Sequence, residues 1–180
     1  MKRYSGSRDP RFVAIHRGGD LDVETHRLLV RWAADCAEHV LHLFIAVHPS
    51  DTRPGDAIAV ARDWTRGNVT VGQARQAAFT AHAAARESSD LAAIEVARSA
   101  GHAVATVHMA DHELGAAAYA IRAVMRSVDE TEAARVAEHE CRWQQGKLAA
   151  PIRDLVLSDQ QNRNAKFSNL FSAPTSLLDS

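Results

Sequence analysis

Apolar residues recur every three or four positions across residues 23–47, and no other feature constrains the fold of this chain as strongly. The members of this apolar stripe are Leu29, Trp32, Cys36, Val40, Leu43 and Val47. The residues between them are mostly polar: Arg27, Arg31, Asp35, Glu38 and His42. A period near 3.6 residues places the two sets on opposite faces of an α-helix. The spacing therefore predicts one amphipathic helix from about Val23 to Val47, with the apolar stripe buried.

Helix-start signals divide residues 48–89 into two further helices. Pro54 suits the first turn of a helix, where its missing N–H is not needed, and Gly67 is a plausible stop for that helix. The inner face of this second helix is predicted to be Ala57, Val60, Ala61 and Trp64. Thr70 followed three positions later by Gln73 is a capping box, which predicts a third helix running to about Glu87.

The second half of the chain is also helical in composition. A single straight helix over residues 90–127 would reach roughly 55 Å, more than a domain diameter, so we expect a break near Asp111–His112 and Gly115. Ser127 with Glu130 reads as another capping box and Pro151 as the start of a last helix.

The composition supports the same fold class. Hydrophobic residues make up 46% of the 180 positions, aromatic residues only 6%, and alanine supplies much of the apolar content. Small apolar side chains favour closely packed helices over a sheet. We predict an all-α fold, a single multi-helix bundle of orthogonal or solenoid-like form, with a short extended N-terminal arm.

Three segments are predicted. The arm covers residues 1–22, contains a candidate strand at residues 11–15, and is expected to lie on the helical body. The helical domain covers residues 23–172, and residues 173–180 form a flexible tail because they are small and polar.

Charge and cysteine content exclude several classes of function. The formal net charge is −1, whereas a nucleic-acid binder would normally carry a clear positive excess, so no direct nucleic-acid binding is expected. Cys36 and Cys141 are far apart and form no CxxC pair, which leaves a disulfide framework or cysteine-based zinc site unsupported. No apolar stretch is long enough to span a bilayer, so we expect a cytoplasmic protein without membrane contact.

A histidine-rich segment is the first candidate for chemistry. His108 and His112 are four apart and would share one face of a continuous helix, with Asp111 as a third oxygen ligand or a supporting residue. These three residues are weak candidates for a divalent metal site, which would need a further ligand from elsewhere. The alternative is that the histidines cap a helix end and hydrogen-bond across the bundle, and the sequence favours this structural role. No cofactor is therefore expected.

A larger set of residues defines an alternative enzymatic or small-molecule site. Were this region a cleft, its lining would be His82, His102, His108, Asp111, His112 and Tyr119, with Arg122 one turn further. Such a lining can perform acid–base chemistry, although buried hydrogen bonds that hold helix register are the more common role. The chain has no phosphate-binding glycine loop, no GxSxG elbow and no convincing Cys–His pair.

A second stripe lies on the predicted third helix. Arg75, Phe79, His82 and Arg86 follow one another at spacings of four, three and four, which places them on one face. Arg75, His82 and Arg86 are the candidate contacts to an acidic protein surface or another anion. The alternative is a solvated face from which Phe79 turns inward.

Two other polar groups have local interpretations. Arg53 is expected to pair with Asp56 near a helix terminus, and the polar run of residues 159–164 is interpreted as a solvated helix end.

Several stretches of the sequence together resemble one known family. They are Arg11–Val13, Arg17–Gly19, His26–Leu29, Trp32–Glu38, Asp51–Pro54, Ala57–Ile58, Ala61–Trp64, Ala78–Arg86, Ala100–His108, Ala110–Tyr119 and Ile152–Leu157. In this order they are similar to the immunity proteins predicted beside bacterial polymorphic toxins, over about residues 11–171. Lys166–Asn169 departs from the resemblance, since a cysteine and a tryptophan are expected near the end.

The resemblance implies an all-helical fold and a role in binding and neutralising a cognate toxin protein. It supplies no catalytic residues. We therefore expect a non-enzymatic binding protein; the alternative is an enzyme or small-molecule binder that uses the histidine-lined cleft. Self-association through the alanine-rich helices is a third hypothesis.

Overall fold

The computed structural model describes residues 3–171, which form an all-α bundle. The helices are α1 Val23–His39, α2 Leu41–Val47, α3 Arg53–Thr65, α4 Val71–Glu87, α5 Leu91–Ala105, α6 Glu113–Arg126, α7 Glu130–Gly146 and α8 Ala150–Arg163. Short 3₁₀ helices lie at Pro10–Phe12, Ile15–Arg17, Ala110–His112 and Asn164–Phe167. No β-strand forms within residues 3–171, so the predicted fold class is confirmed.

The length and apolar character of the helices bear on whether any of them could span a membrane. Every helix within residues 3–171 lacks the combination of length and apolar character that crossing a bilayer requires.

The N-terminal segment is more coiled than predicted. The candidate strand at residues 11–15 does not form; the two first 3₁₀ helices occupy this region instead, with a single parallel bridge between Ala14 and Leu21. The Asp9 carboxylate accepts a hydrogen bond of 2.9 Å from the Arg11 N–H, which stabilises the first of these turns. Phe12 is buried, so the segment lies on the helical body as expected. The tail predicted at residues 173–180 lies outside the described residues.

The first predicted helix is in fact two helices. Val40 ends α1 with φ −101° and ψ 0°, and α2 begins at the next residue. The interruption changes which face is buried: Phe44 is only 1% exposed, whereas the predicted core residue Val47 is 46% exposed. The prediction of one continuous helix was therefore wrong. The part of the predicted apolar stripe that lies in α1, Leu29, Trp32 and Cys36, is buried in the core as predicted.

The signals for α3 and α4 are confirmed. Pro54 lies in the first turn of α3, and Gly67, just after the helix, has the positive φ of +82° that favours glycine. Thr70 and Gln73 form the capping box of α4. The Thr70 N–H donates to the Gln73 side chain at 2.8 Å, and the Gln73 N–H donates to the Thr70 side chain at 3.3 Å.

Two local predictions are wrong. Arg53 pairs with Asp51 and Glu87, both at 2.7 Å, instead of with Asp56. Asp129, and not Ser127, precedes α7 as its N-cap residue, since the Ser127 hydroxyl donates to the Val124 carbonyl oxygen of the preceding helix.

The break between α5 and α6 is confirmed and covers residues 106–112. These two helices pack together and share faces built largely of alanine. Small residues let helix backbones approach closely, and two glycines provide room for aromatic rings. A Cβ atom on Gly101 would lie 2.6 Å from the His82 ring, and one on Gly115 would lie 2.4 Å from the His102 ring. Each imidazole therefore occupies the space beside a glycine of the neighbouring helix.

Replacement of Gly115 by alanine tests this packing. Alanine would improve helix propensity by about 0.5–1 kcal/mol, but overpacking a core costs about 1–3 kcal/mol. We therefore expect Gly115→Ala to lower the free energy of unfolding, measured by urea denaturation. In a His102→Ala background the same substitution should cost less.

Gly55→Ala is the matched control, because its Cβ would lie 3.7 Å from Leu41, an ordinary contact distance. It should cause no loss of stability. Equal stability of Gly115→Ala and the parent protein would contradict the close-packing argument.

Candidate functional site

Four histidines form a row where α4, α5 and α6 meet. His82 comes from α4, His102 from α5, His108 from the turn after α5, and His112 from the position before α6. Ring centroids are 5.5 Å apart for His82–His102, 5.1 Å for His102–His112 and 5.6 Å for His108–His112. We call these four residues the histidine row. The structure thus brings together side chains that the sequence places as much as 30 positions apart.

His102 occupies the centre of the row. Its Nδ1 lies 3.2 Å from the Nδ1 of His112, and its ring centroid lies 5.1 Å from that of Tyr119. A hydrogen bond between two Nδ1 atoms requires one to donate and the other to accept, so at least one ring must be neutral. Desolvation by burial lowers the pKa of His102 to about 3, with the neighbouring His112 and His82 adding to the effect.

Positive charge surrounds the row. The Arg98 and Arg122 guanidinium groups lie 5.8 Å and 5.2 Å from the centroid of the Tyr119 ring, in cation–π contact. Desolvation first, and the Arg86 charge second, lower the pKa of His82. The Arg86 and Arg98 charges therefore add to desolvation in lowering the pKa of His82, and the Arg98 charge does so for His102.

Asp111 is engaged in an ion pair. Arg8 binds its carboxylate through two hydrogen bonds, of 3.0 Å from Nε and 2.7 Å from Nη2. His108 and His112 both lie in the break between α5 and α6, so the helical spacing that suggested a metal pair does not apply. Within residues 3–171, no group of three or more His, Cys, Asp or Glu side chains is arranged so that it could hold a metal ion.

A small polar cavity of about 230 Å³ adjoins the row. Among the residues of the predicted cleft, its wall includes His102, Asp111, His112 and Tyr119. His82 packs against Gly101 behind this wall, and His108 lines a different cavity. The structure therefore unites four of the six predicted cleft residues around one space, where neutral imidazoles could exchange protons with a bound group.

A buried charged cluster, which the sequence analysis missed, closes the far side of this cavity. Arg163 of α8 donates to both Asp159 and Glu113, and its Nη1 donates to the Asp111 carbonyl oxygen at 2.8 Å. Burial raises the pKa of Glu113, opposed by the Arg163 charge. Asp159 and Gln160 are each 3% exposed, so the interpretation of residues 159–164 as a solvated helix end was wrong at these two residues. The four-residue spacing of Asp159 and Arg163 was an available signal, whereas nothing in the sequence marks Glu113.

The predicted stripe on α4 divides into two parts. His82 is half-buried and faces α5, whereas Arg75, Phe79 and Arg86 are exposed. Phe79 is 66% exposed, so the alternative in which it turns inward is wrong. Neither Arg75 nor Arg86 makes an ion pair or hydrogen bond with residues 3–171. We call Arg75, Phe79 and Arg86 the α4 surface.

The histidine row should make stability depend on pH. The folded-state pKa values of His102 and His108, about 3 and about 4, lie below the unfolded value of 6.5. The unfolded chain therefore binds more protons, and the free energy of unfolding should fall as pH decreases from 6.5 towards 4. His102→Gln should reduce this slope between pH 6.5 and 5 by up to about 1.4 kcal/mol per pH unit.

The control is His139→Gln, at an exposed position on α7, which should retain the parental slope when urea denaturation is repeated at each pH. An unaltered slope in His102→Gln would show that His102 does not remain neutral in the folded protein.

Comparison with known proteins identifies the family. Neither a search of curated proteins nor a search of solved structures found a match. A family model, described as Imm-5 like putative immunity protein, matches residues 19–151. This range is narrower than the resemblance over residues 11–171, but it includes all of α1–α7 and the whole histidine row. The chain belongs to the family of Imm-5 like putative immunity proteins.

Proposed function

We propose that this chain binds a toxin protein and neutralises it, and that the α4 surface contacts the toxin. Membership of an immunity protein family supports the role in general. The observation that carries the choice of surface is the 66% exposure of Phe79 between two arginines that have no ion-pair partner within residues 3–171.

The chemistry of the α4 surface suits a protein partner. Single exposed apolar residues are normal on soluble proteins, so Phe79 alone would carry no argument. Aromatic and arginine side chains, however, supply a large share of binding energy at protein interfaces. Phe79 provides an apolar anchor, and Arg75 and Arg86 provide donors on either side of it along the helix. A complementary partner would present an apolar pocket flanked by carboxylates.

The scaffold beneath this surface is well packed. The opposite face of α4 is buried alanine, including Ala74, Ala78 and Ala81, and it packs on α3 and α5. The capping box fixes the start of the helix. Binding would therefore require little ordering of the backbone, which reduces the entropic cost of association.

Charge favours an acidic partner at this position. The whole chain has a formal net charge of −1, so attraction to an acidic protein must come from a local positive region. Arg75 and Arg86 on α4 provide one. Such attraction mainly accelerates association and weakens with salt.

The test is co-expression with the toxin domain encoded beside this chain, followed by affinity measurement on purified proteins. We expect the parent protein to restore growth and to bind in a stoichiometric complex. Phe79→Ala should weaken binding about 30-fold, the size of a typical hot-spot loss of 2 kcal/mol. Arg75→Ala combined with Arg86→Ala should weaken binding and reduce its salt dependence, while circular dichroism remains unchanged.

A double variant on α7, Arg135→Ala with Arg142→Ala, removes the same charge from a helix remote in sequence from α4 and should bind as tightly as the parent. Unchanged affinity in all α4 variants would eliminate this surface but not the function. Failure of the parent protein to bind or to rescue growth would overturn the proposed function itself.

A further inference from the structure

A larger cavity, distinct from the one beside His102, lies under the N-terminal segment. Its volume is about 540 Å³, within the range of about 300–1,000 Å³ typical of small-molecule sites. It is enclosed by residues 8–23, the end of α3, the start of α4 and the turn after α5. The principal apolar wall residues are Phe12, Val13, Leu21, Trp64, Val107 and Ala110.

Exposed apolar side chains also line this cavity. Ile15 is 47% exposed, Val23 is 55% exposed and Val71 is 41% exposed. They come from the N-terminal segment, α1 and α4, which are distant in sequence. Their convergence on one cavity indicates an apolar entrance instead of isolated surface residues.

One buried polar atom in the wall lacks a hydrogen-bond partner. The Nδ1 of His108 is buried and makes no hydrogen bond within the described residues. Two further histidines, His16 and His26, line the cavity, and His26 donates from Nε2 to the Thr106 carbonyl oxygen at 2.7 Å. Buried polar groups are nearly always satisfied in folded proteins, so an unpaired nitrogen on a residue that lines a cavity suggests a ligand atom as its partner.

The charges near His108 are mainly positive. Desolvation lowers the pKa of His108 to about 4, and the charges of Arg75, Arg17 and Arg8 act in the same direction. Arg8 is neutralised by Asp111, whereas Arg17 is exposed and makes no ion pair with residues 3–171. Asp22 also lines the cavity, but its carboxylate accepts from Thr25 at the start of α1.

We propose that this cavity binds a small molecule with an apolar body and one carboxylate, of the kind represented by a medium-chain fatty acid. The apolar body packs against Phe12 and Trp64. The carboxylate accepts a hydrogen bond from neutral His108 and is attracted by the Arg17 charge. This inference is independent of the proposed toxin binding, since it concerns a ligand of the protein alone.

The first test compares octanoate with 1-octanol, which has the same chain length but no charge. Isothermal titration calorimetry on the full chain should show one octanoate per protein, bound at least ten-fold more tightly than 1-octanol. Arg17→Gln should remove most of this difference by weakening octanoate alone. Arg126→Gln, an exposed change on α6 outside the cavity wall, is the matched control and should leave both affinities unchanged.

Two further variants locate the bound molecule. Ala14→Phe should weaken both ligands by adding a ring to the cavity wall. Octanoate should also change the tryptophan fluorescence, and Trp64→Phe should remove this change while octanoate still releases heat.

Absence of saturable octanoate binding, or equal affinities for octanoate and 1-octanol, would overturn the proposal. So would full octanoate affinity in Ala14→Phe with native circular dichroism, because the ligand would then bind elsewhere. Equal octanoate affinity in Arg17→Gln and Arg126→Gln would overturn the carboxylate position. A negative growth-rescue experiment leaves these outcomes unaffected, so the two proposals can fail separately.

Discussion

Close packing of α5 against α6 is the constraint on which the rest of the structure depends. Both helices present buried alanines to their neighbours, and Gly101 and Gly115 leave space where any side chain would meet an imidazole. Protein interiors are packed to the density of organic crystals, so this space has to be filled. His82 and His102 fill it, which places polar rings where larger apolar residues would normally lie.

The presence of imidazole rings in this packed region has electrostatic consequences. Buried imidazoles are stable only when neutral, and the arginines around the histidine row strengthen this preference. The row is therefore best understood as a polar part of the core that also borders a small cavity. Arg163 closes the same region by joining α8 to the start of α6 through Glu113 and to the preceding turn through the Asp111 carbonyl oxygen. Two long-range polar contacts thus hold the second half of the bundle around the row.

The two proposed binding sites, the α4 surface and the 540 Å³ cavity, lie outside this core but are held in place by it. The α4 surface lies on the outer side of a helix whose inner side is alanine, so its residues can contact a partner without disturbing the core. The 540 Å³ cavity lies at the amino-terminal end of the same helix, where Val71 is part of its wall. Binding of a protein and binding of a small molecule would therefore occur on neighbouring parts of one helix.

Local sequence determined much of this protein: the all-α class, the capping box at Thr70, the first turn of α8 around Pro151 and the break after α5. These features depend on interactions within about four residues, which spacing and turn chemistry report directly. Tertiary structure alone decided that the first predicted helix breaks at Val40, that Phe79 points outward while His82 turns inward, and that Glu113 meets Arg163. The physical reason is that burial depends on contacts between segments far apart in the chain, and helical periodicity identifies a face but not the partner that covers it.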